Sequence, residues 1–150
     1  PVRGAPPETV VEAVEAARVQ FGNRIVFGDD VPEGVDGLNK TAGPPDKVFY
    51  YLQCLHEAAG IRIAGQEWGN SLIEWLKAKG IKASIESEAI RNNRGDMRKR
   101  TWRINGESRQ FEKHMKPTNA TAPDKCVRIY FDWCNERNRM LVGWIGRHPD

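Results

Sequence analysis

Apolar residues recur at helical spacing through the first half of the chain and at alternate positions through the last third. Val10, Val14, Ala17 and Phe21 stand at offsets of 4, 7 and 11, which predicts a helix over about 7–21 with Pro7 in its first turn. Glu8, Glu12 and Glu15 near its start and Arg18 near its end suit the helix dipole. Gly22-Asn23 ends it, and Arg24–Phe27 reads as a short strand or extended piece. Residues 28–45 are dense in Gly, Pro and Asp and read as a long loop. A second helix fits 46–59, with Asp46 as N-cap, Val48, Tyr51, Leu52, Leu55 and Ala59 on one face, and Gly60 as its stop. A third fits about 66–79, where Trp68, Leu72, Trp75, Leu76 and Lys79 follow the 3.6 period before Gly80, and Ile81 makes the contact that often follows a glycine stop.

From residue 99 onward the period becomes 2. Arg100–Ile104 and Glu107–Met115 flank Asn105-Gly106, a pair suited to the positive φ angles of a type I′ hairpin turn. After a loop over 117–125, Cys126–Cys134 alternates: Val127, Ile129, Phe131 and Trp133 point one way, Cys126, Arg128, Tyr130 and Asp132 the other. Asn135–Asn138 makes a turn and Met140–Arg147 returns. The expected fold is α+β, with N-terminal helices packed on a C-terminal four-stranded antiparallel sheet. Residues 1–45 would form an N-terminal helix and flexible loop extension, and 46–150 the core domain. The apolar strand face should pack on Trp68, Leu72, Trp75 and Leu76.

At 150 residues and 39% hydrophobic, the chain has the size and bulk of one globular domain. No apolar run approaches the ~20 residues of a membrane helix. Pro1–Pro7 is a Pro-rich leader without the apolar stretch of a secretory signal, so a cytoplasmic protein with no membrane partner is expected. Three cysteines make a secreted disulfide framework improbable. Cys126 and Cys134 would lie roughly 26 Å apart on an extended strand, too far to bridge. Neither a Cys-x-x-Cys nor a matching His pair supplies a zinc site, and no cofactor motif is found; the expectation is no metal and no cofactor.

Charge is distributed unevenly. Residues 1–87 carry nine Lys/Arg against twelve Asp/Glu, and residues 88–150 carry fourteen against eight, so a polyanion would meet the second half. Arg91, Arg94, Arg98, Lys99, Arg100 and Arg103 crowd into thirteen residues around Trp102, opposed only by Asp96. Cations beside an aromatic suit a nucleic-acid backbone with one stacked base. The ordinary alternative is a solvated connector with Trp102 in the core.

A second constellation lies at strand ends. His114-Met115-Lys116 closes the second strand, Arg128 and Tyr130 share a face of the third, and Arg147-His148 closes the fourth. Together they hold the parts for metal-free RNA cleavage: a base for the 2′-hydroxyl, arginines for the charge at phosphorus, and an acid for the leaving oxygen. Histidine can take either proton role. Ordinary readings stand beside this one: a solvent-facing His114, an Arg128 paired with Asp132 or Glu112, and a frayed His148.

The segment Met115-Lys116, the strand Cys126–Phe131 and the closing Leu141–His148 resemble the end of RelE/ParE-type bacterial toxins. The resemblance covers about 35 of the 150 residues. It departs at Pro149-Asp150, where a terminal aromatic is usual, and in the first 60 residues, which exceed the family's size. It implies a RelE-like fold and, from the ribosome-dependent ribonuclease members, catalytic roles for Arg128 and His148 and more loosely Lys116. ParE-type members share the fold without that chemistry. The leading expectation is a metal-independent endoribonuclease acting on RNA, free or ribosome-bound, with DNA as another ligand and an antitoxin protein as a partner. His148 would act as general acid or base, Arg128 would bear charge, Lys116 and His114 would serve as phosphate contact or base, Arg147 would contact phosphate, and Tyr130 would stack on or position a nucleotide. The rival is a non-catalytic protein- or nucleic-acid-binding module, an accessory subunit docking through Trp102, Trp133 and Trp144.

Overall fold

A computed structural model of the chain describes residues 6–118, 122 and 125–150. The leader expected over 1–7 and the loop expected over 117–125 lie partly outside the described residues. The element order is α1 Val10–Phe21, β1 Ile25–Phe27, α2 Val31–Asp36, α3 Pro45–Ile63, α4 Leu72–Ala78, β2 Ala83–Ile85, α5 Glu88–Arg91, α6 Arg94–Arg98, β3 Thr101–Ile104, β4 Glu107–Gln110, β5 Lys113–Met115, β6 Arg128–Cys134 and β7 Arg139–Gly146.

The faces of α1 and α3 read from the sequence are buried. Of the third expected face Leu72 and Leu76 are buried, Trp68 and Trp75 half-buried and Lys79 exposed. Local chemistry moves the helix ends. Thr9, whose hydroxyl accepts from the Glu12 N–H, caps α1, so Pro7 stays outside it. α3 begins at Pro45 with Asp46 in its first turn. It runs past Gly60, where the Arg24 guanidinium occupies the space that a side chain would fill. Ser71 caps α4 by accepting from the Glu74 N–H, which starts that helix six residues later than the apolar period suggests. Its end is as expected: Gly80 has φ 84° and the Ile81 N–H returns to the Leu76 carbonyl.

The fold class is α+β, but the sheet is mixed. Its five strands run in the order β1-β7-β6-β5-β2, with β1 parallel to β7 and the other neighbours antiparallel. The strand expected over 107–115 divides at Phe111-Glu112. Its first part pairs with β3 as a separate two-stranded sheet, and its second part joins the main sheet between β6 and β2. The loop expected over 28–45 contains α2, which packs through Gly34 against Ile145 and Gly146 of β7. β1 reaches only Met140–Val142, so α2 covers the strand edge beyond it. α1, β1 and α2 therefore contribute to the same core as the later elements.

Both faces of the main sheet are covered. On one lie the helices, meeting Val127, Ile129, Phe131, Met140, Val142 and Ile145. Leu72 and Leu76 belong to that core, and Trp68, Trp75 and Trp133 are packed against it half-buried. On the other, the β3–β4 hairpin lays Trp102 and Ile104 over Tyr130, Cys134, Leu141 and Trp144. A bulge makes this second layer possible. Tyr130 pairs with Trp144 while Phe131 pairs with Val142, leaving Gly143 as the extra residue. The bulge shifts the alternation by one, so Trp144 turns to the hairpin side and Ile145 to the helix side. A Cβ on Gly143 would stand 2.5 Å from the Phe111 ring, so the ring occupies the space that glycine leaves open.

The hairpin is tied to the first third of the chain. Asn105 and Gly106 both have positive φ, as a type I′ turn requires, and the Asp29 carboxylate accepts both their N–H groups. Asp30 accepts from the Arg103 N–H (2.8 Å) and from its guanidinium (2.9 Å). Among the described residues no helix is long and apolar enough to cross a membrane. All three cysteines are free and buried.

Candidate functional site

Strand register places one row of polar and aromatic side chains across the sheet. Ser84 of β2 pairs with His114 of β5, His114 with Tyr130 of β6, and Tyr130 with Trp144 of β7. Two residues further toward the same sheet end stand Lys116, just past β5, and Arg128, which pairs with Gly146. Residues two apart on a strand share a face, so Arg128 lies beside Tyr130, and Lys116 continues the row of His114. Arg147 and His148 follow β7 at that end.

Behind the row lies a buried ionic network. Glu86, directly after β2, accepts from Arg100 Nε and, at its Oε2, from the Tyr130 hydroxyl at 3.3 Å. The Arg100 guanidinium also donates to the Asp96 carbonyl (3.0 Å) and to both oxygens of Asp150 (3.1 and 2.9 Å). The Arg100 side chain is fully buried and that of Glu86 is 6% exposed. Burial opposes the charge on Arg100, but its hydrogen bonds to Asp150 and Glu86 outweigh this and hold the guanidinium well above its ordinary pKa. Such a pair is costly to break, because removing one member strands the other charge in a dry interior.

His114 adjoins this network. Its Nε2 is 3.1 Å from the Ser84 hydroxyl. Its Nδ1 lies 3.0 Å from Glu86 Oε1, yet off the hydrogen-bonding direction, so this buried nitrogen lacks an aligned partner. Burial drives the imidazole down to about 4; Glu86 pulls it up, and Lys116, Arg128 and His148 push it further down. His114 is therefore neutral at pH 7. Burial, with Glu86 beside it, raises the Tyr130 phenol well above its ordinary range.

The outer part of the cluster is accessible. The His148 side chain is 40% exposed. Burial lowers its pKa, Asp150 and Glu86 raise it, and Arg128 and Arg100 lower it; the net direction is down. Arg128 is half-buried, donates one bond to the Val127 carbonyl (3.0 Å), and keeps a buried Nε without a partner. Asp132 does not pair with it, being held instead by Arg109 (3.3 Å) and Lys113 (3.0 Å). Lys116 and Arg147 are exposed. Among the described residues no carboxylate lies within ion-pair distance of Lys116, Arg128 or Arg147.

The cationic run 91–103 is divided by the fold. Arg91, Arg94, Arg98 and Lys99 are exposed on or beside α5 and α6. Arg103 is exposed but salt-bridged to Asp30. Arg100, Trp102 and Tyr130 are buried, which removes them from a solvent-facing nucleic-acid surface. The physical reason is the hairpin: its aromatic face and the guanidinium preceding it close over the strand face expected to be open. Trp133 and Trp144 are half-buried, with Arg62 above the Trp133 ring and the Trp144 N–H bonded to the Arg147 carbonyl, so the three tryptophans form no open docking patch.

Glu86, Ser84 and Asp150 were not legible as site residues. Glu86 stands in the sequence as one acid among several in an unassigned linker, and Ala83–Ile85 is too short an alternation to announce a strand. Among the described residues no group of three His, Cys, Asp or Glu side chains is arranged to hold a metal. Two concavities of about 320 and 220 Å³ lie between α1 and α2, lined by residues such as Val10, Val11, Val14 and Val35 and by none of the cluster.

Comparison with protein-family models, curated proteins and solved structures finds no match to this chain. The RelE/ParE resemblance therefore rests on the sequence segments Met115-Lys116, Cys126–Phe131 and Leu141–His148 alone.

Proposed function

We propose that this chain is an RNA-cleaving enzyme of the toxin-like, metal-independent kind, acting at the sheet end that carries Lys116, Arg128, Arg147 and His148. One observation carries the reading. Arg128 holds a buried, unpartnered Nε and lacks a carboxylate partner among the described residues, in a group where Lys116, Arg147 and a neutral imidazole are its neighbours. A half-buried cation with an unpartnered nitrogen gains from an anion beside it, and a phosphodiester supplies that charge.

In the proposed step the 2′-oxygen of a ribose bonds to the adjacent phosphorus as the bond from phosphorus to the 5′-oxygen breaks. His148 takes the 2′-hydroxyl proton at Nε2, and water protonates the departing 5′-oxygen. Arg128 stabilises the added charge at phosphorus, and Lys116 and Arg147 hold the neighbouring phosphates. The products are a 2′,3′-cyclic phosphate and a 5′-hydroxyl. His114, buried and bonded to Ser84, acts in this scheme as a support for the row and not as a phosphate contact.

The test is incubation of the purified chain with RNA, with and without ribosomes, in EDTA, with end-group analysis of the products. Cleavage leaving cyclic or 3′-phosphates is expected. Intact RNA in both conditions would overturn the proposal in favour of a binding module, and 3′-hydroxyl ends would overturn the mechanism.

A further inference from the structure

The segment Arg147–Asp150 is held at two separate points. The Trp144 Nε1–H donates to the Arg147 carbonyl over 2.8 Å, and Arg100 grips both oxygens of Asp150. Arg100 has no freedom to follow the segment, because its side chain is fully buried and also bonded to Glu86 and to the Asp96 carbonyl. Asp150 then meets His148 with two of its own atoms. Its backbone N–H donates to His148 Nδ1 over 3.2 Å, and its Oδ2 lies 3.6 Å from the same nitrogen.

Building on the RNA-cleavage reading, we propose that Asp150, anchored by the buried Arg100, is the positioning residue of His148 and keeps its Nε2 turned outward whichever nitrogen carries the proton. When Nε2 is protonated, Nδ1 accepts the Asp150 N–H. When Nδ1 is protonated, the Asp150 carboxylate is the acceptor beside it, and the Nε2 lone pair is free to act as a base. Among the described residues Nε2 has no hydrogen-bond partner. The charged groups facing His148 are Asp150 in its own segment, Arg128 on β6, Arg100 before β3 and Glu86 after β2, with His114 facing it from β5. Of these, Asp150 is the acid next to the ring; its side chain is 44% exposed, and Glu86 still pairs with Arg100 when the Asp150 charge is removed.

The experiment uses the full chain with Asp150→Asn, and Asp150→Glu as the conservative variant. Proton NMR follows the His148 titration, and cleavage kinetics are recorded in parallel on RNA. In folded Asp150→Asn the titration midpoint should fall below that of the wild type. The kcat for RNA should drop by roughly 10²-fold with KM nearly unchanged, and Asp150→Glu should recover part of both. An unmoved His148 midpoint would overturn the coupling whether or not the wild type cleaves RNA. A lowered midpoint with unchanged kcat would overturn the positioning role. A wild type that leaves RNA intact would overturn the RNA-cleavage reading and with it the catalytic consequence, while the midpoint would still decide the contact between Asp150 and His148.

Discussion

Trp102 and Trp144 stack with ring centroids 5.3 Å apart and planes 11° from parallel, and this contact joins the β3–β4 hairpin to the main sheet. Tyr130 completes the cluster, its ring 5.0 Å from that of Trp102 and 5.1 Å from His114. The hairpin thus converts a strand face that alternation alone would leave open to water into a second interior. Glu86, Arg100 and His114 are polar groups enclosed at the margin of that layer, and each must find a partner inside it.

The bulge that turns Trp144 toward the hairpin gives the first prediction. Gly143→Ala sets a methyl against the Phe111 ring and should destabilise the fold by about 1–3 kcal/mol. Phe111→Leu in the same chain should relieve part of that cost, so the double variant should be more stable than the sum of the singles by about 1 kcal/mol. Urea unfolding of the three variants measures this. Strict additivity would show that the ring does not limit position 143.

A pH prediction follows from the buried imidazole. His114 titrates at about 4 in the fold, against 6.5 when unperturbed, so the unfolded chain binds more protons between those values. Stability is therefore full above about 6.5 and falls as pH drops toward 4, by about 3 kcal/mol in total. His56 and His148, both lowered chiefly by burial, act in the same direction. Asp150, lowered chiefly by its Arg100 hydrogen bonds, loses its contribution only as pH falls below the ordinary Asp value. Asp30 behaves likewise: burial raises it, but the bonds from Arg103 prevail. Denaturant midpoints from pH 7 to 4.5 should decline in the wild type and markedly less in His114→Asn. Parallel curves would remove His114 as the source.

Catalysis is tested by two substitutions that leave the core alone. His148→Ala should reduce RNA cleavage by roughly 10²–10⁴-fold and Arg128→Ala by roughly 10²–10³-fold. Thermal unfolding should be nearly unchanged for His148→Ala. Arg128→Ala removes a half-buried group with an unpartnered nitrogen, so its stability should hold or rise. Full activity in either variant would take that residue out of the site.

The exposed cations of α5 and α6 give a prediction about binding. If Arg94, Arg98 and Lys99 meet phosphates, RNA affinity should fall steeply with salt. Replacing all three by Ala should then flatten the slope by about two units, at ~0.7 for each single-strand phosphate no longer neutralised. Arg100 is excluded from this set because it is buried. A slope unchanged by the triple replacement would place the RNA path elsewhere.

Local pattern alone determined much of this protein. The faces of α1 and α3, the Asn105-Gly106 turn, the glycine stop at Gly80 and the inward set Val127, Ile129 and Phe131 were all legible, because each depends on spacing within one element or on the φ preference of one or two residues. The same alternation put Arg128 and Tyr130 on one face, and the order of strands suggested that His114, Lys116 and His148 would lie near them. Only the tertiary structure decided what covers that face. The pairing of β1 with β7 joins residues more than 110 positions apart, and three apolar residues carry no information about a partner that distant. The division of 107–115 into two strands follows from Phe111 filling the space at Gly143, a contact between separate elements. Arg100 reads in the sequence as one more cation in a basic run. Its burial follows from where Glu86 and Asp150 arrive in space, because a guanidinium can leave water only where carboxylates meet it.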